Sequence, residues 1–317
     1  MILMRFGIVV PALTALALTS AGCAAFQEES ASTDDGVQIA AAFYPLAYAS
    51  DRVAGDLADV ELLTQPGTEP HDLELTVKET AQLTLADLVV YQGGFQAAVD
   101  AATEQNATGA TLDVAEVVDL LTTDEEAHDD HDGEDHDEDD GHDHGDVDPH
   151  FWLDPLRMAE VGDAVADQLA EIDPDHADEY AANAAALRDD LTALDEEYAD
   201  GLASCERDTV VVSHDAFSYL EKYGVHVAAI AGLSPDAEPT PADLAELHDL
   251  IRTDGITTVF SETLAPKQLA ESLARGTGVE TAVLDPLEGL TEETSDEDYL
   301  SLMRTNLEAL RAANGCA

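Results

Sequence analysis

Basic residues are what this chain lacks. Lysine and arginine together number 12 against 69 Asp and Glu, giving a formal charge of −57, and lysine occurs only at Lys78, Lys222 and Lys267. A field of that sign repels polyanions, which excludes nucleic acid as a partner and points towards cations. The acid excess covers nearly every predicted helix, a distribution that a saline habitat accounts for. The His-Glu-x-x-His arrangement common in zinc hydrolases is missing, so no local motif argues for metal-assisted hydrolysis. Apolar runs are short. The longest near the start, Phe6 to Leu18, falls below the roughly 20 residues of a membrane span. Cysteine occurs three times, at Cys23, Cys205 and Cys316.

What stands out instead is a dense tract ending in a stiff, aromatic segment. Of the 25 residues from Asp124 to Asp148, 15 are Asp or Glu and none is basic. With little to bury and much to repel, residues 124–147 are expected to be a disordered acidic loop. His128, His131, His136, His142 and His144 lie in it, and imidazoles among carboxylates hold borderline divalent ions loosely. The tract runs into Asp148-Pro149-His150-Phe151-Trp152-Leu153-Asp154-Pro155, where His150 is placed as a fixed ligand would be.

Residues 1–22 read as an export signal: Arg5, the apolar run, then Thr19-Ser20-Ala21-Gly22 before Cys23. That ending resembles the lipobox of bacterial lipoproteins, with Ser20 where Leu is usual, which makes Cys23 the lipidation site. Residues 23–36 are a polar tether. Export leaves Cys205 and Cys316 as an even pair in an oxidising compartment, where a disulfide is the default.

The mature chain alternates strands and helices, which means parallel sheets with helices on their faces. A buried strand is expected over Val37–Leu46, followed by a helix to Gly55. Further strands are expected at Val60–Thr64 and Asp87–Tyr91. In the other half they fall at Thr209–Val212, Val225–Ile230, Ile256–Phe260 and Thr281–Leu284, with a helix between Phe217 and Gly224. The length suits two lobes with separate cores, 37–172 and 205–317. Between them, 173–204 holds a long helix whose apolar stripe is Tyr180, Ala184, Leu187, Leu191, Leu194, Tyr198 and Leu202. It can lie along both lobes as a rigid spine.

His71, in the loop Gln65-Pro66-Gly67-Thr68-Glu69-Pro70-His71, follows a strand, as do His214 and Asp285. With His150 they give three imidazoles and one carboxylate, two from each lobe, enough for a tetrahedral Zn²⁺ site. His176, His226 and His248 lie inside predicted elements and are read as surface or packing residues.

These segments resemble the metal-binding lipoproteins of bacterial ABC importers, specifically the zinc type called ZnuA-like. The matching pieces are Phe43-Tyr44-Pro45, Glu69-Pro70-His71-Asp72, Asp148 to Pro155, Ser213-His214-Asp215-Ala216-Phe217, Glu262-Thr263-Leu264 and Leu284-Asp285-Pro286-Leu287. The resemblance implies two α/β lobes joined by one long helix, with the metal in the cleft between them. It implies His71, His150 and His214 as ligands and Asp285 in the fourth position, with Glu69 in reserve. It also implies a monomer, lipid-anchored on the outer face of the membrane, that binds Zn²⁺ as cargo for an ABC permease and its ATPase. No chemistry on a substrate is required. Manganese-type relatives tend to carry a carboxylate where this chain has His214, so Mn²⁺ is the less expected cargo. The other classes weighed are a secreted zinc hydrolase and a surface adhesin or zinc buffer.

Overall fold

Two four-stranded parallel sheets carry the alternation read from the sequence. The computed structural model describes residues 36–122 and 147–317, and the chain from Gly36 to Ala317 forms one compact unit. The export segment, Cys23, the tether to Asp35 and the five tract histidines, His128, His131, His136, His142 and His144, lie outside the described residues.

The first sheet runs β2-β1-β3-β4, from β1 (Val37–Ala41), β2 (Ala58–Leu62), β3 (Leu88–Tyr91) and β4 (Ala110–Asp113). Its helices are α1 (Tyr44–Ala54), α2 (Val77–Leu85) and α3 (Ala97–Asn106). A short antiparallel pair follows, β5 (Leu121–Thr122) with β6 (Val147–Asp148). After α4 (Pro155–Ile172) and α5 (Ala177–Leu202) comes the second sheet. It is built from β7 (Thr209–Val212), β8 (His226–Ala229), β9 (Thr258–Ser261) and β10 (Glu280–Val283), in the order β10-β9-β7-β8. Its helices are α6 (Pro241–Asp254), α7 (Gln268–Thr277) and α8 (Tyr299–Asn314). Both sheets have the same winding. The second strand adds on one side of the first and the third and fourth on the other, so each has a switch point at its opening strand. Crevices outside such switch points are where α/β sheets place ligands.

Two local expectations change. The strand expected over Val37–Leu46 stops at Ala41, and α1 begins at Tyr44 with Pro45 in its first turn. Proline's fixed φ suits a helix start and its missing N–H is an orphan there anyway. The expected helix after Phe217 is a 3-10 turn, Ser218–Tyr223, closed by Gly224 at φ 82°.

Helix α5 joins the halves. Its 26 residues span about 39 Å at 1.5 Å each, and all seven stripe residues are buried. It packs closely on α4: a Cβ on Gly162 would sit 2.8 Å from Leu187 Cδ2, so any larger residue there would have to move that methyl group. Towards the first sheet, Asn183 Nδ2 donates to Val53 O of α1 at 3.0 Å. Towards the second, Tyr198 Oη donates to Met303 O of α8 at 2.6 Å. The scarce cations gather here too. Arg52 bonds Asp190, Arg304 bonds Glu197, Arg188 bonds Asp163 of α4, and Lys222 reaches both Asp195 and Asp154. The exposed pairs among these contribute at most about 1 kcal/mol each, so the buried stripe carries the joint. A disulfide links Cys205 to Cys316 across 111 residues, tying the end of α8 to the start of the second sheet.

Candidate metal centre

The site grows from four loops at the carboxyl ends of the strands. The loop after β2 turns at Gly67, φ 82°, and is held by Gln96, whose Nε2 donates to Thr64 Oγ1 at 3.0 Å and Pro70 O at 3.1 Å. His71 stands one residue beyond that clamp. Gln92 Nε2 donates to Pro149 O at 2.9 Å, fixing the loop that carries His150. The Phe151–Leu153 turn then leads to Asp154, which caps α4 through Leu156 N at 2.9 Å. His214 follows β7, where Ser213 Oγ donates to Phe260 O of β9 at 3.2 Å.

The fourth arm differs from expectation. Asp285 does not join the three histidines: its Oδ1 accepts Leu287 N at 2.8 Å and its Oδ2 accepts Thr263 Oγ1 at 3.1 Å. Its own backbone is paired on both sides with the Asn306 carboxamide. This turn holds Leu287 at φ 58°, the one non-glycine residue with positive φ among the described residues, and it sends the next side chain, Glu288, into the site. Glu69 also stays at the edge, accepting His71 N at 3.1 Å, with Oε1 4.0 Å from His71 Nε2.

His71, His150, His214 and Glu288 each present one donor atom, all within 4.8 Å of one another. Glu288 Oε1 lies 3.3 Å from His71 Nε2 and 3.4 Å from both His150 Nε2 and His214 Nε2. His150 Nε2 lies 3.3 Å from His71 Nε2 and 3.4 Å from His214 Nε2. Four donors about 2.0 to 2.1 Å from a central Zn²⁺ stand roughly 3.3 to 3.4 Å apart along the edges of a regular tetrahedron. Five of the six edges therefore have the length of a zinc shell, and the sixth, between His71 Nε2 and His214 Nε2, lies within the 4.8 Å that encloses all four donors.

Carboxylates behind two of the rings fix their direction. Asp148 Oδ1 is 2.7 Å from His150 Nδ1 and also accepts His150 N. Glu262 Oε1 is 2.8 Å from His214 Nδ1, an ion-pair distance off the line of a hydrogen bond, and accepts His214 N at 3.1 Å. With a carboxylate on the Nδ1 side of each of these rings, Nε2 is the nitrogen turned to the common centre. Phe43, Phe95 and Trp152 pack edge-on below, and Trp152 sits 5.2 Å from the His150 ring. Trp152 Nε1 donates to Pro286 O at 2.7 Å, so the two halves meet under the site.

The charges agree with a cation site. Burial alone would lower the His214 pKa, but Glu262 and Glu288 outweigh it and raise it to about 10. Burial likewise works against charge on His150, and Asp148 and Glu288 raise its pKa nonetheless. Burial would raise Glu288, yet the three imidazoles hold it well below the usual carboxylate range. Three buried carboxylates thus face three imidazoles, and a divalent cation can take the place of the protons that the imidazoles would otherwise hold.

Comparison with known proteins agrees with this geometry. A family model described as ZnuA, zinc-uptake complex component A, periplasmic, matches residues 39–313. The chain belongs to this family. Among ZnuA-type relatives it is 38% identical over 291 residues to the zinc-binding lipoprotein AdcA of Streptococcus pneumoniae, covering 88% of this chain and 56% of AdcA. The chain thus spans about half the length of the first curated relatives it matches. It is 33% identical to the high-affinity zinc uptake system protein ZnuA of Bacillus subtilis, over 96% of each. The solved Zn(II)-bound ZnuA-like domain of Streptococcus pneumoniae AdcA superposes with a TM-score of 0.71 at 35% identity, covering 88% of this chain and 99% of that one.

Proposed function

We propose that this protein captures Zn²⁺ outside the cytoplasm and delivers it to an ABC-type permease powered by an ATPase on the far side of the membrane. The observation that carries this reading is the convergence of three Nε2 atoms and one carboxylate oxygen within 4.8 Å, five of their six separations at zinc-tetrahedron spacing. Four protein ligands leave no open position for an activated water, which argues against a hydrolase and for a carrier. Softness and geometry favour Zn²⁺ over Mn²⁺ for three imidazoles and one carboxylate. On the same reading 1–22 is an export signal and Cys23 holds the lipid at the outer face of the membrane. Residues 37–172 and 205–317 are the lobes, linked by 173–204, and the protein works as a monomer. The family and the zinc-binding lipoproteins among its relatives support this. The direct test is a deletion strain grown under a zinc chelator. Growth that fails and is restored by added zinc is expected; unimpaired growth and uptake would overturn the importer reading.

Two further outcomes follow from the site. Because Thr122 and Val147 are paired, replacing 123–146 by Asn-Gly closes a tight hairpin without moving His150. The shortened protein is expected to keep one tight zinc equivalent and lose weaker ones, read by metal content after dialysis. Loss of the tight equivalent would place a primary ligand in the deleted tract. Converting the shell towards oxygen should change its preference. His214→Glu alone sets a carboxylate against Glu262, so the variant to test is His214→Glu with Glu262→Gln. Zinc affinity is expected to fall and the gap to Mn²⁺ to narrow in competition titrations. An unchanged zinc-to-manganese ratio would remove His214 from the shell.

A further inference from the structure

His71 is the least covered of the four ligands, its side chain 12% exposed, against 0% for His150 and His214 and 1% for Glu288. An ion must therefore arrive on its side. Two spaces adjoin His71. One is an open groove of about 530 Å³ between α2 and α3, with Asp72 and Glu74 in its wall and no other ligand loop. The other is a narrower cavity of about 180 Å³ that touches both halves: Gln92, Phe95 and Pro149 from the first, Leu233 and Ser234 from the second.

The narrower cavity has a feature the groove lacks. Gln92 is 3% exposed and its Nε2 is committed to Pro149 O, but its Oε1 has no hydrogen-bond partner. A buried carbonyl oxygen left without a donor costs on the order of 1–3 kcal/mol, and Gln92 belongs to the lining of this cavity, so a donor brought into the cavity that reaches Oε1 would relieve that cost. Pro149 immediately precedes His150, so one glutamine touches both the cavity and the loop of a second ligand.

We infer that this cavity is the passage by which the cation enters and leaves. In it Gln92 Oε1 accepts hydrogen bonds from the water shell of the ion until His71 displaces the first of those waters. The inference rests on the zinc-carrier reading and adds the route. The ion meets His71 first, then the buried Nε2 atoms of His150 and His214 and the Glu288 carboxylate. Gln92 is a positioning residue on this route and does not stay bound to the seated ion.

A passage changes rates and leaves the end states alone, and that separates it from a ligand or a packing role. Trp152, the single tryptophan, lies beside His150, so its fluorescence follows zinc arrival by stopped flow and zinc departure into excess chelator. Ser234→Phe narrows the cavity away from the ligands. It is expected to slow both association and dissociation by at least about tenfold with an unchanged dissociation constant, since only the barrier is raised. Gln92→Leu is expected to slow association, and Gln92→Glu, which restores an acceptor while still losing the Pro149 contact, to recover it. Slow association in both Gln92 variants would mean that the Pro149 clamp alone matters and would overturn the assigned role of Oε1. Wild-type rates in Ser234→Phe would overturn the passage and move entry to the groove beside Asp72 and Glu74. A Ser234→Phe variant altered in dissociation alone would equally overturn it, by making Ser234 part of the bound state. Absence of tight zinc binding by the wild type is a different failure, which removes the carrier reading and this route with it.

Discussion

Replacing both Cys205 and Cys316 by serine is expected to lower the stability of the metal-free protein by about 4 to 5 kcal/mol, the chain-entropy value for a loop of this length. The bridge spans 111 residues and so confines most of the second half in the unfolded state. In the folded state the same corner is tied without it. Glu206 N and Arg207 N both donate to Asn314 O, Arg207 holds Ala313 O, and Ala317 N donates to Ser204 O. The native geometry should therefore survive, with the loss appearing through the unfolded ensemble. Urea unfolding of the chelator-stripped protein, reduced and oxidised, reads the difference. Bound zinc would mask it by adding its own binding free energy to stability. A loss below about 1 kcal/mol would mean that those hydrogen bonds persist in the unfolded chain and already restrict it.

Periodicity and punctuation made much of the fold readable. The α5 stripe repeats by threes and fours because one face is buried along its whole length, and that pattern survives any tertiary context. The three histidines were visible because each sits beside proline or at a strand end, where a loop is anchored rather than free. Where burial is complete, the pattern fades. From Val37 to Leu46 nearly every residue is apolar, and α1 is covered on almost all sides, so nothing in the sequence separates its start from the end of β1. Glu288 was hidden for a different reason. Counting from the strand end selects Asp285, whereas the chain turns back through Leu287 in a left-handed conformation that non-glycine residues rarely take. The available signal was Asp285 itself, since an aspartate followed two residues later by a free N–H is a turn-former.

That turn leads to the other large effect, in the fourth arm of the site. Glu288→Ala is expected to weaken zinc binding by more than about 100-fold, since even residues behind a metal ligand are typically worth 10- to 100-fold. Asp285→Ala should fall within that lower range. It leaves the donor set intact but frees Leu287 N from the oxygen that holds the left-handed turn, so Glu288 Oε1 loses its fixed place 3.3 to 3.4 Å from the three imidazoles. Asp285→Asn keeps an oxygen for Leu287 N and should bind nearly as the wild type does. Glu288→Gln keeps the shape and loses the charge, leaving the buried imidazoles with one anion fewer to share with the cation, and should fall between wild type and Glu288→Ala. Competition against a chelating dye gives the four affinities in one series. A positioning role predicts that the asparagine rescues at 285 and only partly compensates at 288, by glutamine. Strong binding by Glu288→Ala together with equal losses in Asp285→Ala and Asp285→Asn would falsify this order and return the fourth ligand to Asp285.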